Sequence, residues 1–127
     1  MQIQIVGIGC DIVSISRIEG CIKRFGRRFI SRIFSNYEIE FGPKIENLVY
    51  YSYFAKRFAA KEACAKALGI GIGKLSFKEI EVRKDEVGAP YINIESRVWS
   101  NYKFHLSLSD ENDIALAYVI AILSAKN

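Results

Sequence analysis

The stretch from Tyr50 to Leu68 constrains this chain most: it holds no glycine or proline, is rich in alanine, and stops at Gly69, where a helix C-cap belongs. It predicts one long helix with Phe54, Phe58, Ala65 and Leu68 on the buried side. Ahead of it, the β-branched run Ile3, Ile5 and Val6 to Ile8 is closed by Gly7 and Gly9 and reads as an opening strand buried on at least one face, with Asp11 at its end. Ser16 and Glu19 have capping-box spacing, and Ile18, Cys21, Ile22 and Phe25 follow at helical intervals before Gly26. Arg27 to Lys44 reads as short basic helices with a second capping box at Ser35 and Glu38 and a stop at Gly42-Pro43.

Beyond the glycine-spaced link Gly69, Gly71, Gly73 the period changes from helical to two. Ile80 and Val82 alternate with Glu79, Glu81 and Arg83, and Tyr91 to Ile94 follows the Gly88-Ala89-Pro90 turn, which predicts a hairpin. After a short segment at Arg97 to Trp99, Phe104, Leu106 and Leu108 alternate with His105, Ser107 and Ser109. A turn at Asp110 to Asp113 then leads into the apolar run Ile114 to Leu123. Helices first and antiparallel strands last make the class α+β, in one compact domain over 1–127.

With 127 residues, half of them hydrophobic, the chain can bury a core, but it is small enough for self-association to help. A net charge of +4 favours acidic partners without choosing among phosphates, an acidic protein, nucleic acid or a membrane surface. Cys10, Cys21 and Cys64 lack metal or disulfide spacing and read as reduced thiols. The N-terminus lacks a basic region ahead of its apolar stretch, and no window reaches the roughly 18 apolar residues of a membrane span, so a soluble, uncleaved, cytoplasmic protein without membrane insertion is expected.

Glu62 and Lys66, four apart, project from one helix face. As a surface pair they add only tenths of a kcal/mol, about 0.2–0.5; the small residues around them leave room for a ligand. Asp11 is either a turn residue or a hard oxygen ligand at a strand end. A carboxylate there, another on a helix and a lysine one turn away are what magnesium-assisted phosphate chemistry requires. His105 shares a strand face with Ser107 and Ser109, suited to solvent or to phosphate. Neither glycine series is a Walker loop or a dinucleotide fingerprint; turns and close packing explain them. Lys23, Arg24, Arg27, Arg28 and Arg32, interleaved with Phe25 and Phe29, form a basic cluster that fits a solvated face, nucleic acid or an acidic protein.

Taken together, Gly7-Ile8-Gly9-Cys10-Asp11-Ile12-Val13 with Arg17-Ile18, and Arg57-Phe58-Ala59-Ala60-Lys61-Glu62-Ala63 through Lys66-Ala67-Leu68-Gly69, resemble the two signatures of the holo-acyl-carrier-protein synthases. Gly71-Ile72-Gly73, a strand beginning at Ser76-Phe77, the Gly88-x-Pro90 turn and His105 to Ser109 resemble later landmarks of that family. The resemblance implies a homotrimer with coenzyme A in clefts between subunits, and transfer of 4'-phosphopantetheine from coenzyme A to a serine of apo acyl carrier protein in fatty acid biosynthesis. By the same match Asp11 and Glu62 are magnesium ligands, Lys66 contacts the transferred phosphate, Arg17 docks acyl carrier protein, and His105 lies near the coenzyme A phosphates or a neighbouring subunit's cleft. Nucleic acid is not an expected partner. Two departures stand out: only Glu95 to Lys103 occupies the place of a longer helix, and Asp110-Glu111 stands where many members carry a second histidine. The rival reading is a non-catalytic basic module for an acidic protein or nucleic acid, in which Asp11 and Glu62 lie far apart.

Overall fold

In chain order the computed structural model, which describes residues 2–70 and 75–124, runs β1 (Ile3–Ser14), α1 (Ile15–Phe25), α2 (Arg27–Ile33), α3 (Asn36–Glu40), α4 (Tyr50–Leu68), β2 (Glu81–Lys84), β3 (Pro90–Asn93), a 3-10 turn (Arg97–Trp99), β4 (Tyr102–Glu111) and β5 (Ile114–Ser124). The class is α+β, as expected. β1, β5 and β4 form an antiparallel sheet in that order, while β2 and β3 form a separate hairpin whose second strand touches β4.

The inner face of the three-stranded sheet is built from small residues so that α4 can lie close against it. Ala115, Ala117, Val119 and Ala121 of β5 are wholly buried, as are Ala55, Ala59, Ala60 and Ala63 of α4. On β1 the inward positions include Gly7 and Gly9. A Cβ at Gly7 would sit 1.7 Å from the Ala67 carbonyl oxygen, and one at Gly9 would sit 1.8 Å from that of Ala63. Both distances are far inside van der Waals contact, so these glycines are a packing seam, not a phosphate loop.

Several expectations change here. β1 does not end at Asp11 but continues to Ser14, because β5 pairs with it along its whole length, Asp11 opposite Ala117. Its isoleucines also face away from the core: Ile3, Ile5, Ile8 and Ile12 are 59–66% exposed, since the glycine side is the one the helix presses. The N-cap of α1 is Ser14, not Ser16; Glu19 pairs instead with Lys23 at 2.6 Å. Of the side chains expected on the buried side of α4, Phe54 is 2% exposed, but Phe58, Ala65 and Leu68 are only half-buried. Ser76 and Phe77 lie ahead of the strand, which begins at Glu81. The Gly71-Ile72-Gly73 landmark and the glycine-spaced link after Ile70 fall outside the described residues. The capping box at Ser35 and Glu38, the αL cap at Gly69 (φ 66°) and the β2–β3 hairpin stand as expected.

α4 buries charge as well as alanine. Lys61, wholly buried, donates through Nζ to Glu38 Oε1 at 2.7 Å, to the Phe77 carbonyl at 2.8 Å and to the Ile80 carbonyl at 2.6 Å. Glu38, equally buried, also accepts from the backbone N–H of Ser35 and of Val82, both at 2.8 Å. Burial pushes the Lys61 ammonium below its ordinary pKa, and the adjacent Glu38 carboxylate pulls it back. Every proton on Nζ has an acceptor, so the pair ties α3 and the approach to β2 onto α4. Lys61→Met strands the Glu38 carboxylate in the core; its stability to urea should fall by about 3–5 kcal/mol, and adding Glu38→Gln should restore part of the loss.

Candidate active site

Residues 7, 9 and 11 alternate onto the inner face of β1, so Asp11 continues the line of the two glycines towards α4. Glu62 and Lys66 each precede a seam alanine, Ala63 and Ala67, and therefore flank the line of closest approach. Lys66 Nζ donates to Asp11 Oδ1 at 3.0 Å and to the Cys10 carbonyl at 3.1 Å. The Asp11 side chain is 17% exposed and the Lys66 side chain 55%, so the pair sits at a rim open to solvent. Its hydrogen bond with Asp11 raises the Lys66 pKa.

Glu62 belongs to the same cluster. Partial burial raises its carboxyl pKa, the charge of Asp11 raises it further, and Lys66 and Arg17 oppose both. Asp11 and Glu62 thus lie within electrostatic reach of one another, contrary to the rival reading of a non-catalytic module. Arg17, exposed in the first turn of α1, reaches the cluster through its charge.

Two half-buried carboxylates whose charges repel fit a hard divalent cation, which would relieve that repulsion. Among the described residues no group of three or more His, Cys, Asp or Glu side chains is placed to hold a metal. An ion held by Asp11 and Glu62 would need its other ligands from water or from substrate phosphate.

His105 is not part of this cluster within one chain. It pairs in register with Ile120, and Ile120 with Ile8, so all three stand on the outer face of the sheet. Asp11 pairs with Ala117, and Ala117 with Leu108, on the inner face. Asp110, which follows Ser109, binds Lys56 at 2.9 Å. The Cys10 carbonyl is a site contact that sequence reasoning missed; as a backbone group it leaves no trace in residue identity. Cys10, Cys21 and Cys64 are free thiols, and burial pushes Cys64 up to about 12, which makes it inert.

In metal-free buffer, Asp11→Asn should move the Glu62 carboxyl titration to lower pH and Lys66→Met should move it to higher pH, both read by NMR of the labelled Glu62 carboxyl carbon.

The family model for the 4'-phosphopantetheinyl transferase superfamily matches residues 7–121. The holo-[acyl-carrier-protein] synthase of Ehrlichia chaffeensis is 47% identical over 120 residues, covering 91% of this chain and 95% of that protein. The crystal structure of holo-[acyl-carrier-protein] synthase from Neisseria meningitidis superposes with a TM-score of 0.82 at 41% identity, covering 93% of this chain and 98% of that one. That of the Bacillus anthracis synthase, in complex with CoA (3',5'-ADP), also gives 0.82, at 38% identity with 94% and 98% covered. Glycine seam, paired carboxylates and rim lysine sit inside the matched span, and the chain belongs to the 4'-phosphopantetheinyl transferase superfamily, among the holo-[acyl-carrier-protein] synthases.

Proposed function

We propose that this chain transfers 4'-phosphopantetheine from coenzyme A to a serine of apo acyl carrier protein, giving holo acyl carrier protein and adenosine 3',5'-bisphosphate for fatty acid biosynthesis in the cytoplasm. The observation that carries this reading is the meeting of Asp11, Glu62 and Lys66 at one solvent-open rim, inside a fold shared with synthases, one of them crystallised with coenzyme A.

Magnesium held by Asp11 and Glu62 supplies charge neutralisation at the pyrophosphate when bound. The serine oxygen forms a bond to the phosphorus that carries pantetheine, and the bond from that phosphorus to the oxygen of adenosine 3',5'-bisphosphate breaks with its electron pair. Lys66, already oriented by Asp11 and the Cys10 carbonyl, offsets the charge on the transferred and departing phosphates. The serine proton passes to a bound water or to a carboxylate such as Glu62. Arg17, whose charge acts on Glu62 from the first turn of α1, docks the acidic carrier protein.

We assign a homotrimer as the working form, with His105 serving a neighbouring subunit's cleft. The exposed outer face supports it: Ile8, Ile12, Ile114 and Tyr118 are 39–60% exposed on β1 and β5, a sheet face too apolar to be left in water. No helix among the described residues is long and apolar enough to cross a membrane.

Intact-mass analysis of apo acyl carrier protein incubated with the enzyme, coenzyme A and magnesium should show the gain of one phosphopantetheine, with activity reduced by at least ~10²-fold in Asp11→Ala and in Glu62→Ala. No gain from a folded enzyme that binds coenzyme A would favour the binding module. Sedimentation should give three times the 14.4 kDa chain mass, and Ile12→Asp should shift it towards the monomer.

A further inference from the structure

We infer that Asp113, in the turn between β4 and β5, is a positioning residue for Arg17 that acts through the hydroxyl of Ser14. This deepens the reading of Arg17 as a carrier-docking residue and rests on it. Ser14 Oγ donates to Asp113 Oδ2 at 2.6 Å, and Ser16 Oγ donates to the same oxygen at 2.8 Å. The Ser16 N–H donates to Asp113 Oδ1 at 2.8 Å, and the Ile15 N–H to the Asp113 carbonyl at 2.8 Å. One residue from the far end of the chain thus holds three consecutive residues at the junction of β1 and α1.

A hydroxyl has one proton and two lone pairs. Ser14 spends its proton on Asp113, so its oxygen faces the Arg17 N–H as an acceptor, at 3.3 Å. Arg17 is the third residue of α1, and its N–H has no partner inside the helix; the cap alone satisfies it. Removing the carboxylate takes away the anchor of the Ser14 side chain, which is then free to rotate about χ1, and the Arg17 N–H loses its fixed acceptor.

Charge points the same way. The first turn of α1 carries no acidic residue, although a helix N-terminus favours negative charge. Asp113 supplies that charge from another element, and the donors around it hold its carboxyl below the ordinary range, so it is ionised at neutral pH. Arg17 acts by its charge on Glu62 from this first turn, so a shift of the turn moves its guanidinium relative to the Asp11–Glu62 rim.

The test combines amide hydrogen exchange with steady-state kinetics on the full-length enzyme, using Asp113→Asn, Ser14→Ala, Arg17→Ala and the Asp113→Asn/Arg17→Ala double variant. Asp113→Asn keeps the shape of the side chain, and Ser14→Ala interrupts the same relay if that variant folds poorly. Exchange at the Arg17 amide should quicken about threefold or more in both, with the Ile22 amide unchanged. The KM for apo acyl carrier protein should rise about three- to tenfold in Asp113→Asn while kcat and the KM for coenzyme A stay within about twofold. The double variant should be no worse than Arg17→Ala. Unchanged exchange at Arg17, or additive effects in the double variant, overturns the assignment. If Arg17→Ala leaves the carrier KM unchanged, the docking role of Arg17 fails, and exchange alone then decides whether Asp113 positions it.

Discussion

The approach of α4 to β1 without an intervening side chain is the constraint on which the rest depends. At Gly7 and Gly9 the helix carbonyls of Ala67 and Ala63 occupy the space a methyl group would need, and the alanines of β5 leave the helix no bulk to ride over. Because the two backbones nearly touch, side chains flanking the seam project beside the strand and not above it. That is how Lys66 reaches both a main-chain carbonyl and the carboxylate of a strand residue.

Such a seam contributes little apolar area, since glycine and alanine have little to bury. The helix is held instead from its other sides. Phe34 packs edge-on against Phe54 at 4.7 Å between ring centroids, and Lys61 binds Glu38 and two carbonyls. The ion pair is costly to desolvate, and its worth lies in direction: four hydrogen-bonded groups fix the rotation of α4 about its axis in a way that a greasy contact does not. Rotation matters because Glu62 follows Lys61 directly. A turn of the helix that loosened Lys61 would also swing Glu62 away from Asp11.

Much of this was legible in the sequence. Freedom from helix breakers and the glycine stop gave α4 its observed limits, and period-two alternation found β4 and the hairpin. The family signatures led to Asp11, Glu62 and Lys66, which the structure brings together. For β1 the strand and a buried face were legible, but its end and the side it buries were not. A run of isoleucines normally marks the buried face of a strand, but here the buried face belongs to glycines, because a helix backbone takes the room that side chains usually fill. Position 61 left no sign of burial: only tertiary contacts with Glu38, distant in sequence, make this lysine part of the core. The role of Ser14 as cap was hidden by a capping-box spacing two residues later, and the partner that decides between the two serines, Asp113, lies near the other end of the chain.

The two faces of the sheet carry different parts of the chemistry that the family resemblance assigns. Asp11 lies on the inner face and His105 on the outer, separated by the thickness of the sheet and by register that admits no slip, since a one-residue shift would turn Gly7 and Gly9 away from α4. No side-chain rotation brings the two to one phosphate within a single chain. If both serve the same coenzyme A, they come from different copies, and the surface through which the copies meet must leave His105 at its border. On β4 the outward row is polar, with Lys103, His105, Ser107 and Ser109, whereas on β1 and β5 it is apolar, with Ile8, Ile12, Leu116, Tyr118 and Ile120. An association that buried the apolar strands against one another would leave the polar edge strand at the border of that contact. The same division of the sheet would account for both the assembly and the shared site.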